Sequence, residues 1–294
     1  MPELPEVEVV KLGLKKTTIN KKIKQIEVKN NKIVSGHTTK READSNKKIE
    51  FENALKNATI SNVLRIGKNI IIETDRGCIL VHLKMTGQFA YFLNTEALNN
   101  ANYKDSKHFH IYFYLTDGSV LIYKDIRKFG YALYFSSIEN LLNSDHILKQ
   151  GIDPTNKIGE EEACIILKKF SKKSSSIKKS LLDQSIICGV GNIYADEILF
   201  RSFISPKSIT KNINLDNIKT ILINAKDIFN DSIIAGGSSI SDYQGVDGAR
   251  GNYVQNHKVY GRKGKLCFVC DTLLSGIVDG GRATVYCEIC QKVM

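Results

Sequence analysis

Two Cys-x-x-Cys pairs near the C-terminus restrict what this chain can fold into more than any other feature of its 294 residues. The pairs are Cys267 with Cys270 and Cys287 with Cys290, and sixteen residues separate them. Each pair offers two thiolates from one tight turn, and four thiolates complete the closed tetrahedral site typical of structural zinc. We therefore expect a zinc ribbon in residues 259–294 that holds one Zn²⁺ and leaves no open position for catalysis.

Charge and cysteine usage indicate the partner class and the compartment. Forty-two Lys and Arg against 31 Asp and Glu give a formal net charge of +11, which favours a polyanionic partner. The three other cysteines are scattered, which indicates a reducing compartment and not a disulfide framework. No run approaches the ~20 apolar residues of a membrane span, and the acidic N-terminal octet is unlike a signal peptide. We expect a soluble, cytoplasmic protein without a membrane partner.

Local patterns divide the chain into three domains and predict an α+β fold class. Short β-rich runs between Ile23 and about Phe135, with one helical pattern before them, predict an N-terminal antiparallel β-sandwich domain over residues 1–136. A helical domain is predicted over 137–258. Its helical patterns occur at 138–148, 159–170, 176–184, 192–200 and 214–234. The Gly-, Ser- and Asp-rich stretch 235–257 predicts a long loop, and such loops are usually functional or disordered.

The N-terminus carries a candidate nucleophile. A small second residue permits removal of Met1, so we expect the mature chain to begin at Pro2, with Glu3 and Glu6 close behind it. Amines form Schiff bases with carbonyl-level carbons, and a free α-amino group titrates near pH ~8 in model peptides, against ~10.4 for lysine. The alternative is that the prolines only stiffen an exposed terminus and that the acids are solvated.

A glycine loop and a basic stripe in the helical domain suit a polyanion. Gly189-Val-Gly-Asn192 directly precedes a predicted helix, where small residues let backbone N–H groups approach an anion and Asn192 adds side-chain donors. The lysine-rich run upstream includes Lys173. Glycines also make ordinary helix–helix turns, and a solvated face is the commoner reason for a lysine run. Together the features indicate a helix-turn-helix-like grip on a DNA backbone.

Loop tips elsewhere carry side chains suited to nucleic acid. Met85, Arg127 and Phe129 are a flexible apolar chain, a planar cation and an aromatic ring, which can be wedged into a base stack. The alternative places Met85 and Phe129 in the core. Arg282, between the cysteine pairs, lies at a hairpin tip from which it can reach a phosphate, and a bare surface arginine is the alternative there.

With these motifs the chain resembles the bacterial formamidopyrimidine-DNA glycosylase family, the base-excision enzymes for oxidised purines, over nearly its whole length. The matching segments follow in order: Pro2–Glu8, Arg65–Lys68, His82–Gly87, Lys107–His108, Asp125–Gly130, Gly189–Tyr194, Val259–Gly264 and the ribbon around Arg282. The resemblance implies that residues 137–258 form a helix-two-turn-helix DNA-binding domain.

The resemblance also implies a mechanism. Pro2 attacks C1′ of a damaged nucleotide, expels the base and forms an imine, and β- and δ-elimination then break the strand. Glu3 assists ring opening and proton transfer, and Glu6 supports the active site. Lys68 matches the catalytic lysine of the family, and Arg282 matches the hairpin arginine that grips the phosphate.

The same resemblance assigns the DNA contacts. The implied partner is duplex DNA with oxidised bases or abasic sites, bound by a monomer. His108, Arg127, Lys173 and Asn192 match DNA-binding residues, while Met85, Arg127 and Phe129 match the residues that intercalate where a base has been flipped out. The loop 235–257 corresponds to the one that closes over the everted base.

Three residues depart from the family pattern, and the segment Gly248–Tyr253 in the predicted loop also differs from it. Lys84 stands where a glycine is usual, Ile126 replaces a proline, and Lys128 replaces an arginine, so that a bidentate phosphate contact becomes a point charge. None of the three removes a group that the chemistry needs.

Two other functions stay open. An endonuclease VIII-like glycosylase would share the fold and remove oxidised pyrimidines, although the Glu3-Leu4-Pro5 start and the Arg127-Lys128-Phe129 loop favour the purine enzyme. A non-catalytic zinc-containing DNA-binding protein would need no terminal proline, so Pro2 argues against it.

Overall fold

The computed structural model describes residues 1–38, 40–100, 106–239 and 244–294. Contacts along the chain define two compact units. The first comprises Met1–Pro2, Glu6–Leu148 and Gly236–Gly251, and the second comprises Glu3–Pro5, Lys149–Ala235 and Asn252–Met294. Among the described residues, no helix combines the length and the apolar character needed to cross a membrane.

The first unit contains two four-stranded antiparallel sheets. Its strands are β1 (Ile23–Val28), β2 (Ile60–Ile66), β3 (Asn69–Thr74), β4 (Gly77–His82), β5 (Gly87–Phe92), β6 (Phe109–Leu115), β7 (Val120–Asp125) and β8 (Tyr131–Phe135). One sheet has the order β1-β6-β7-β5 and the other the order β2-β3-β4-β8. A single apolar cluster joins buried residues of both sheets, for example Phe113 from β6 and Val81 from β4. The unit is therefore a β-sandwich whose loops extend from a packed core.

The first unit also contains helices, the first of which has its two initial residues in the second unit. They are α1 (Leu4–Thr18), α2 (Lys32–Ser35), α3 (Ser45–Leu55), α4 (Thr95–Asn100), α5 (Ile138–Leu142) and α6 (Asp145–Leu148). The carboxylate of Asp44 caps α3 by accepting from the amides of Asn46 and Lys47, and Phe51 and Leu55 turn one face of α3 into the sandwich core.

The second unit is helical and ends in a β-hairpin. Its helices are α7 (Glu160–Phe170), α8 (Ile177–Leu181), α9 (Asn192–Arg201) and α10 (Leu215–Ile234), and the hairpin strands are β9 (Ser275–Asp279) and β10 (Arg282–Tyr286). A core of aliphatic and aromatic side chains from α7, α9 and α10 includes Phe170, Tyr194 and Phe229. A smaller cluster under the hairpin contains Val259, Leu274 and two of the cysteines.

The predicted α+β fold class is confirmed: antiparallel sheets come first, a helical domain follows, and a four-cysteine cluster closes the chain. Two of the predicted helical segments differ from the prediction: the helix predicted over 176–184 is shorter, Ile177–Leu181, and the helix predicted over 138–148 is divided. Residues 138–148 form α5 and α6 and not one helix, because the Ser144 N–H donates to the Leu141 carbonyl, three residues back, and the Ser144 carbonyl accepts from Ile147 and Leu148 to begin a new turn.

Candidate active site and nucleic-acid interface

Glu3 is buried against the N-terminus of α9. Its carboxylate accepts hydrogen bonds from the backbone N–H of Ile193 at 2.9 Å and of Tyr194 at 3.3 Å, and the side chain is 2% exposed. The first turn of a helix has unpaired amides and a positive partial charge, so this position stabilises an ionised carboxylate. The anion that the glycine loop attracts is thus a side chain of the chain itself.

The glycine loop is shaped to receive the N-terminal segment. A Cβ on Gly191 would lie 2.2 Å from Cδ of Glu3, and one on Gly189 would lie 2.4 Å from Cδ1 of Leu4. Gly189 also has a φ of +91°, which other residues adopt only with strain. The backbone N–H of Leu4 donates to the Gly189 carbonyl at 3.1 Å. Residues 3 and 4 are therefore fixed, where most chain ends fray.

Glu6 anchors the beginning of the long loop. Its buried carboxylate accepts from the backbone N–H of Ser238 at 2.8 Å, and both residues are less than a twentieth exposed. Pro2 is buried as well, while Met1 is 42% exposed. The structure thus holds the terminal segment by two carboxylates, Glu3 and Glu6, with separate partners.

The predicted loop 235–257 is tied down at several points, and its residues 240–243 lie outside the described residues. The Gly251 N–H donates to the Ser239 hydroxyl at 2.9 Å. Val246 is buried in the sandwich core, and its carbonyl accepts from the Tyr91 N–H at 3.1 Å. These contacts give the loop a defined base and one anchored side.

Lys68 lies in the tight turn between β2 and β3 and is 6% exposed. The neighbouring Arg65 supports this turn, because its Nη1 donates to the Gly67 carbonyl at 3.0 Å and its Nε forms an ion pair with Glu8 at 2.7 Å. Lys68 is thus buried at a hairpin tip, whereas most lysines are exposed.

His82 is a candidate that the sequence reasoning did not single out. It ends β4 opposite Asn69, the residue after Lys68. Burial lowers the pKa of His82 well below its ordinary value, and the charges of Lys84 and Lys68 lower it further. Its Nδ1 accepts from the Lys84 N–H at 3.0 Å, so the neutral ring carries its proton on Nε2. The position of His82 within the His82–Gly87 motif was the available signal.

The three predicted wedge residues lie on two loops of the first unit and outside its described core clusters. Met85, between β4 and β5, is 39% exposed. Arg127 and Phe129, between β7 and β8, form a cation–π pair with 4.6 Å from the guanidinium carbon to the ring centroid. Arg127 is exposed, and Phe129 is half-buried.

Asp125 joins these two loops. Its buried carboxylate accepts from the backbone N–H of Arg127 at 3.1 Å and of Gly130 at 2.7 Å, and also from the Thr86 hydroxyl. Thr86 in turn accepts from the Arg127 N–H at 2.9 Å. One carboxylate therefore fixes the residue after Met85 and both sides of the Arg127–Phe129 pair.

Two of the three departures from the family pattern have left-handed backbone. Lys84 has a φ of 51° and Lys128 a φ of 58°, where a glycine is favoured sterically. The Lys84 ammonium lies 5.6 Å from the centroid of the Tyr131 ring and is half-buried. Burial lowers the pKa of Lys84, and the charge of Arg41 adds to the effect. Ile126, the third departure, is 47% exposed.

Arg282 begins β10 at the tip of the hairpin and is exposed. Behind it, the Ala283 carbonyl accepts from Nζ of Lys178 at 3.0 Å and from Nδ2 of Asn192 at 3.2 Å. Lys178 is fully buried and pairs with Asp196 at 2.7 Å, and Asp196 accepts from the Val285 N–H at 3.0 Å. The backbone of the hairpin that presents Arg282 is thus hydrogen-bonded to a buried ion pair between α8 and α9.

The remaining predicted DNA-binding residues, Lys173, His108 and Asn192, differ in their exposure and in their hydrogen-bond partners. Lys173 forms a 2.8 Å ion pair with Asp183 and is about one third exposed. Partial burial raises the pKa of Asp183, but hydrogen bonds from Lys173 and Ser185 outweigh this and lower it overall. His108 is half-buried, and its Nδ1 has no hydrogen-bond partner among the described residues. Oδ1 of Asn192 likewise has no such partner.

The four cysteines of the C-terminal pairs meet at one point. Their sulfur atoms all lie within 4.8 Å of one another, with 3.4 Å between Cys270 and Cys287 and 3.9 Å between Cys267 and Cys290. Four thiolates bound at about 2.3 Å around one ion would be about 3.8 Å apart. Backbone N–H groups of Val269 and Cys290 also point at sulfur, at 3.4 Å each. The residues fit a tetrahedral thiolate-bound metal.

Comparison with known proteins agrees with this arrangement. The family model for the formamidopyrimidine-DNA glycosylase N-terminal domain matches residues 1–132, and the model for the H2TH domain of the same enzymes matches residues 150–244. The formamidopyrimidine-DNA glycosylase of Halalkalibacterium halodurans is 36% identical over 292 residues, which is 99% of this chain and 100% of that one.

Two solved structures of Lactococcus lactis Fpg are similar to the whole chain. A variant bound to Fapy-dG-containing DNA has a TM-score of 0.85 at 30% identity and covers 99% of this chain and 100% of that one. The wild-type protein bound to DNA with an oxidised pyrimidine has a TM-score of 0.83 at 30% identity, with the same coverage. The chain belongs to the formamidopyrimidine-DNA glycosylase family.

Proposed function

We propose that this protein is a base-excision repair glycosylase that removes oxidised purines, 8-oxoguanine and formamidopyrimidines, from duplex DNA and then cleaves the abasic strand. The observation that carries the proposal is the burial of the N-terminal segment, with the Glu3 carboxylate held by two amides of α9. If the N-terminus had only a structural role, it would not need a buried carboxylate at residue 3, directly after Pro2.

Pro2 is the nucleophile in this proposal, after removal of Met1. Its secondary amine attacks C1′ of the damaged nucleotide, and the base leaves with the electrons of the C1′–N bond and takes a proton from water. When the sugar ring opens, the nitrogen and C1′ form a cationic imine, an iminium ion, because a secondary amine has no second proton to lose. The pyrrolidine ring limits the orientations of the attacking nitrogen. A nearby cation would help to keep the amine deprotonated, and Lys68 and Arg282 are the cations assigned to the catalytic centre.

Glu3 is the proton shuttle. The amides of Ile193 and Tyr194 favour its ionised form, so it begins as a carboxylate that accepts the proton lost by Pro2. The same proton can then be returned to the ring oxygen of the sugar as the ring opens. Glu6 has a different role: through Ser238 it fixes the start of the loop that closes over the everted base.

The other assigned residues hold the DNA. Exposed Arg282 grips the phosphate and assists the last elimination, with Lys173, His108 and Asn192 as further DNA contacts. Met85, Arg127 and Phe129 fill the gap left by the flipped nucleotide. Flipping costs a few kcal/mol, which stacking and phosphate contacts must offset. The exposure of Met85 and Arg127 supports this assignment over burial in the core.

Three further features complete the proposal. The four cysteines hold one structural Zn²⁺ that stiffens the Arg282 hairpin. Residues 1–136 carry the nucleophile, 137–258 bind DNA and cap the lesion, and 259–294 form the zinc hairpin. The protein acts as a monomer on chromosomal DNA in the bacterial cytoplasm.

A lesion competition tests the substrate class. Duplexes that carry 8-oxoguanine opposite cytosine and duplexes that carry thymine glycol would be mixed, and single-turnover cleavage of each would be followed. Faster cleavage of 8-oxoguanine is expected. Because Lactococcus lactis Fpg has been captured on an oxidised pyrimidine, some cleavage of thymine glycol is compatible with the proposal, but a preference for it would favour the endonuclease VIII-like alternative.

Product analysis tests the lyase step. β,δ-Elimination leaves phosphate on both ends of the gap, whereas β-elimination alone leaves an unsaturated aldehyde on the 3′ end of the upstream fragment. We expect the doubly phosphorylated gap from the native sequence and accumulation of the aldehyde from Arg282→Ala. If binding survives but neither product forms on any lesion, the protein is a non-catalytic DNA-binding protein.

A further inference from the structure

Arg41 lies outside every motif described above, yet its guanidinium is directed into the loop that carries two of the predicted intercalating residues, Arg127 and Phe129. The residue is 8% exposed. Its Nη2 donates to the carbonyls of Lys128, at 3.1 Å, and of Gly130. Its Nη1 donates to the carbonyls of Thr38 at 2.9 Å and of Phe129 at 3.4 Å. Three consecutive carbonyls of the 126–130 loop therefore point at one buried cation.

The same loop is held from its other side by Asp125. The Asp125 carboxylate accepts hydrogen bonds from the backbone N–H groups of Arg127 and Gly130, while Arg41 donates to the carbonyls of residues 128–130. Between them Lys128 adopts a left-handed φ of 58°, which costs energy for a residue with a side chain. A loop with this conformation persists only when its surroundings fix it.

Arg41 is suited to this task by its shape. Among the described residues it forms no ion pair, so carbonyl dipoles and the field of Asp125 offset its charge. Arginine presents five N–H donors in a rigid plane, and its Nε also donates to the Lys32 carbonyl. A lysine offers three donors around a single point, which cannot reach the same set of acceptors.

We propose that Arg41 is a positioning residue for base flipping. It holds the 126–130 loop so that the Arg127–Phe129 pair faces outward as one stacked unit before DNA arrives. This inference rests on the proposed function, since it assigns a cause to the conformation of the residues that would fill the gap in the DNA. The loop then loses its conformational entropy when the protein folds, and DNA binding does not incur that loss again.

The first test needs no DNA. Amide hydrogen exchange would be measured in the full chain for Arg127 and Gly130, whose N–H groups bond to Asp125. We expect Arg41→Lys and Arg41→Met to speed exchange at these two amides about tenfold or more, because each lost bond to a charged donor weakens the loop. Lys40→Met removes an exposed charge one residue away and should leave both rates unchanged.

The second test uses the DNA substrate. A 2-aminopurine next to an 8-oxoguanine pair would report loss of stacking, and single-turnover excision would be compared with cleavage at a preformed abasic site. In Arg41→Lys we expect the fluorescence rise and the excision rate to fall about tenfold, with less than about threefold change at the abasic site, since that substrate requires less unstacking.

The results of the two tests distinguish a positioning role of Arg41 from a purely structural one. Equal exchange in Arg41→Lys and Lys40→Met would overturn the positioning role. The positioning role would also be overturned if Arg41→Lys lost the same fraction of its rate on both substrates and that fraction equalled the fraction of protein unfolded in the assay buffer, as obtained from urea unfolding. Such a result would indicate a purely structural residue. If Arg41→Met fails to fold, Arg41→Lys, which keeps the charge, carries the test. If the native sequence excises no lesion, the proposed function fails. The exchange data alone then decide whether Arg41 fixes the 126–130 loop.

Discussion

Gly191 and Glu3 lie so close that a Cβ on residue 191 would stand 2.2 Å from Cδ of Glu3. The two residues are far apart in sequence, and the contact exists because the Glu3 carboxylate caps the helix that begins at Asn192. A glycine loop that looks like a phosphate cradle is therefore occupied by an internal anion. This arrangement fixes the residue next to the proposed nucleophile.

Gly191→Ala should damage catalysis more than folding. The added methyl group must displace Glu3 or the loop, and a displacement of the order of 1 Å can cost about a hundredfold in rate. Single-turnover excision and thermal melting would be measured together. Gly36→Ala is the matched control, because its Cβ would meet nothing closer than 3.6 Å. An excision rate equal to that of the control would show that the fit of Glu3 in the loop is not needed.

Lys178→Met should destabilise the second unit strongly. It leaves Asp196 buried without its 2.7 Å partner, and breaking such a pair costs about 3–5 kcal/mol. Lys178→Met with Asp196→Leu should recover part of the loss, since no charge is left behind. Arg201→Met, which breaks exposed pairs with Asp227 and Asp231, should cost less than about 1 kcal/mol. Urea unfolding checks the series, and equal losses for both single variants would contradict it.

His257 should make stability depend on pH. Burial lowers its pKa to about 4, against an ordinary value of 6.5. Because the folded state resists protonation, this stability is fully present above pH 6.5 and is lost as the pH falls toward 4, by about 3 kcal/mol. His257→Phe keeps an aromatic ring between Tyr253 and Tyr260 and should flatten that part of the curve. Parallel unfolding curves for both proteins between pH 7 and 4 would refute the assignment.

Lys128→Gly should stabilise the first unit relative to Lys128→Ala. Both substitutions remove the same charged side chain, but only glycine relieves the left-handed φ of 58°, which is worth about 1 kcal/mol. Chemical denaturation of the two variants gives the difference directly. An alanine variant as stable as the glycine variant would mean that the backbone at 128 is not strained.

Secondary-structure elements could be predicted from the sequence where their local patterns were strong. The helix over 192–200 was predicted within one residue at each end, because the glycine loop 189–191 marks its start. The helix α3 was not predicted, although Asp44 caps it, because its apolar residues are few and its 11 residues are mostly polar.

The candidate site shows where sequence reasoning stops. The position of Met85, Arg127 and Phe129 on loops and the meeting of the four cysteines could be predicted because each motif is contiguous. The seat of Glu3 on α9, the bond from Ser238 to Glu6 and the Arg41 contacts join residues far apart in the chain, so no local pattern encodes them. Likewise Lys84 looked like a change of charge only, and its left-handed φ of 51° shows that a lysine in place of a glycine is also a change of backbone preference.

Borohydride trapping on an 8-oxoguanine duplex, followed by mass mapping of the adduct, tests the central claim most directly. Reduction converts the imine between enzyme and sugar into a stable bond, so the labelled residue is the nucleophile. The account predicts an adduct on an N-terminal Pro2, which also establishes removal of Met1, and its loss or strong reduction in Pro2→Gly. An adduct on Lys68, or intact DNA binding with no adduct at all, would contradict it.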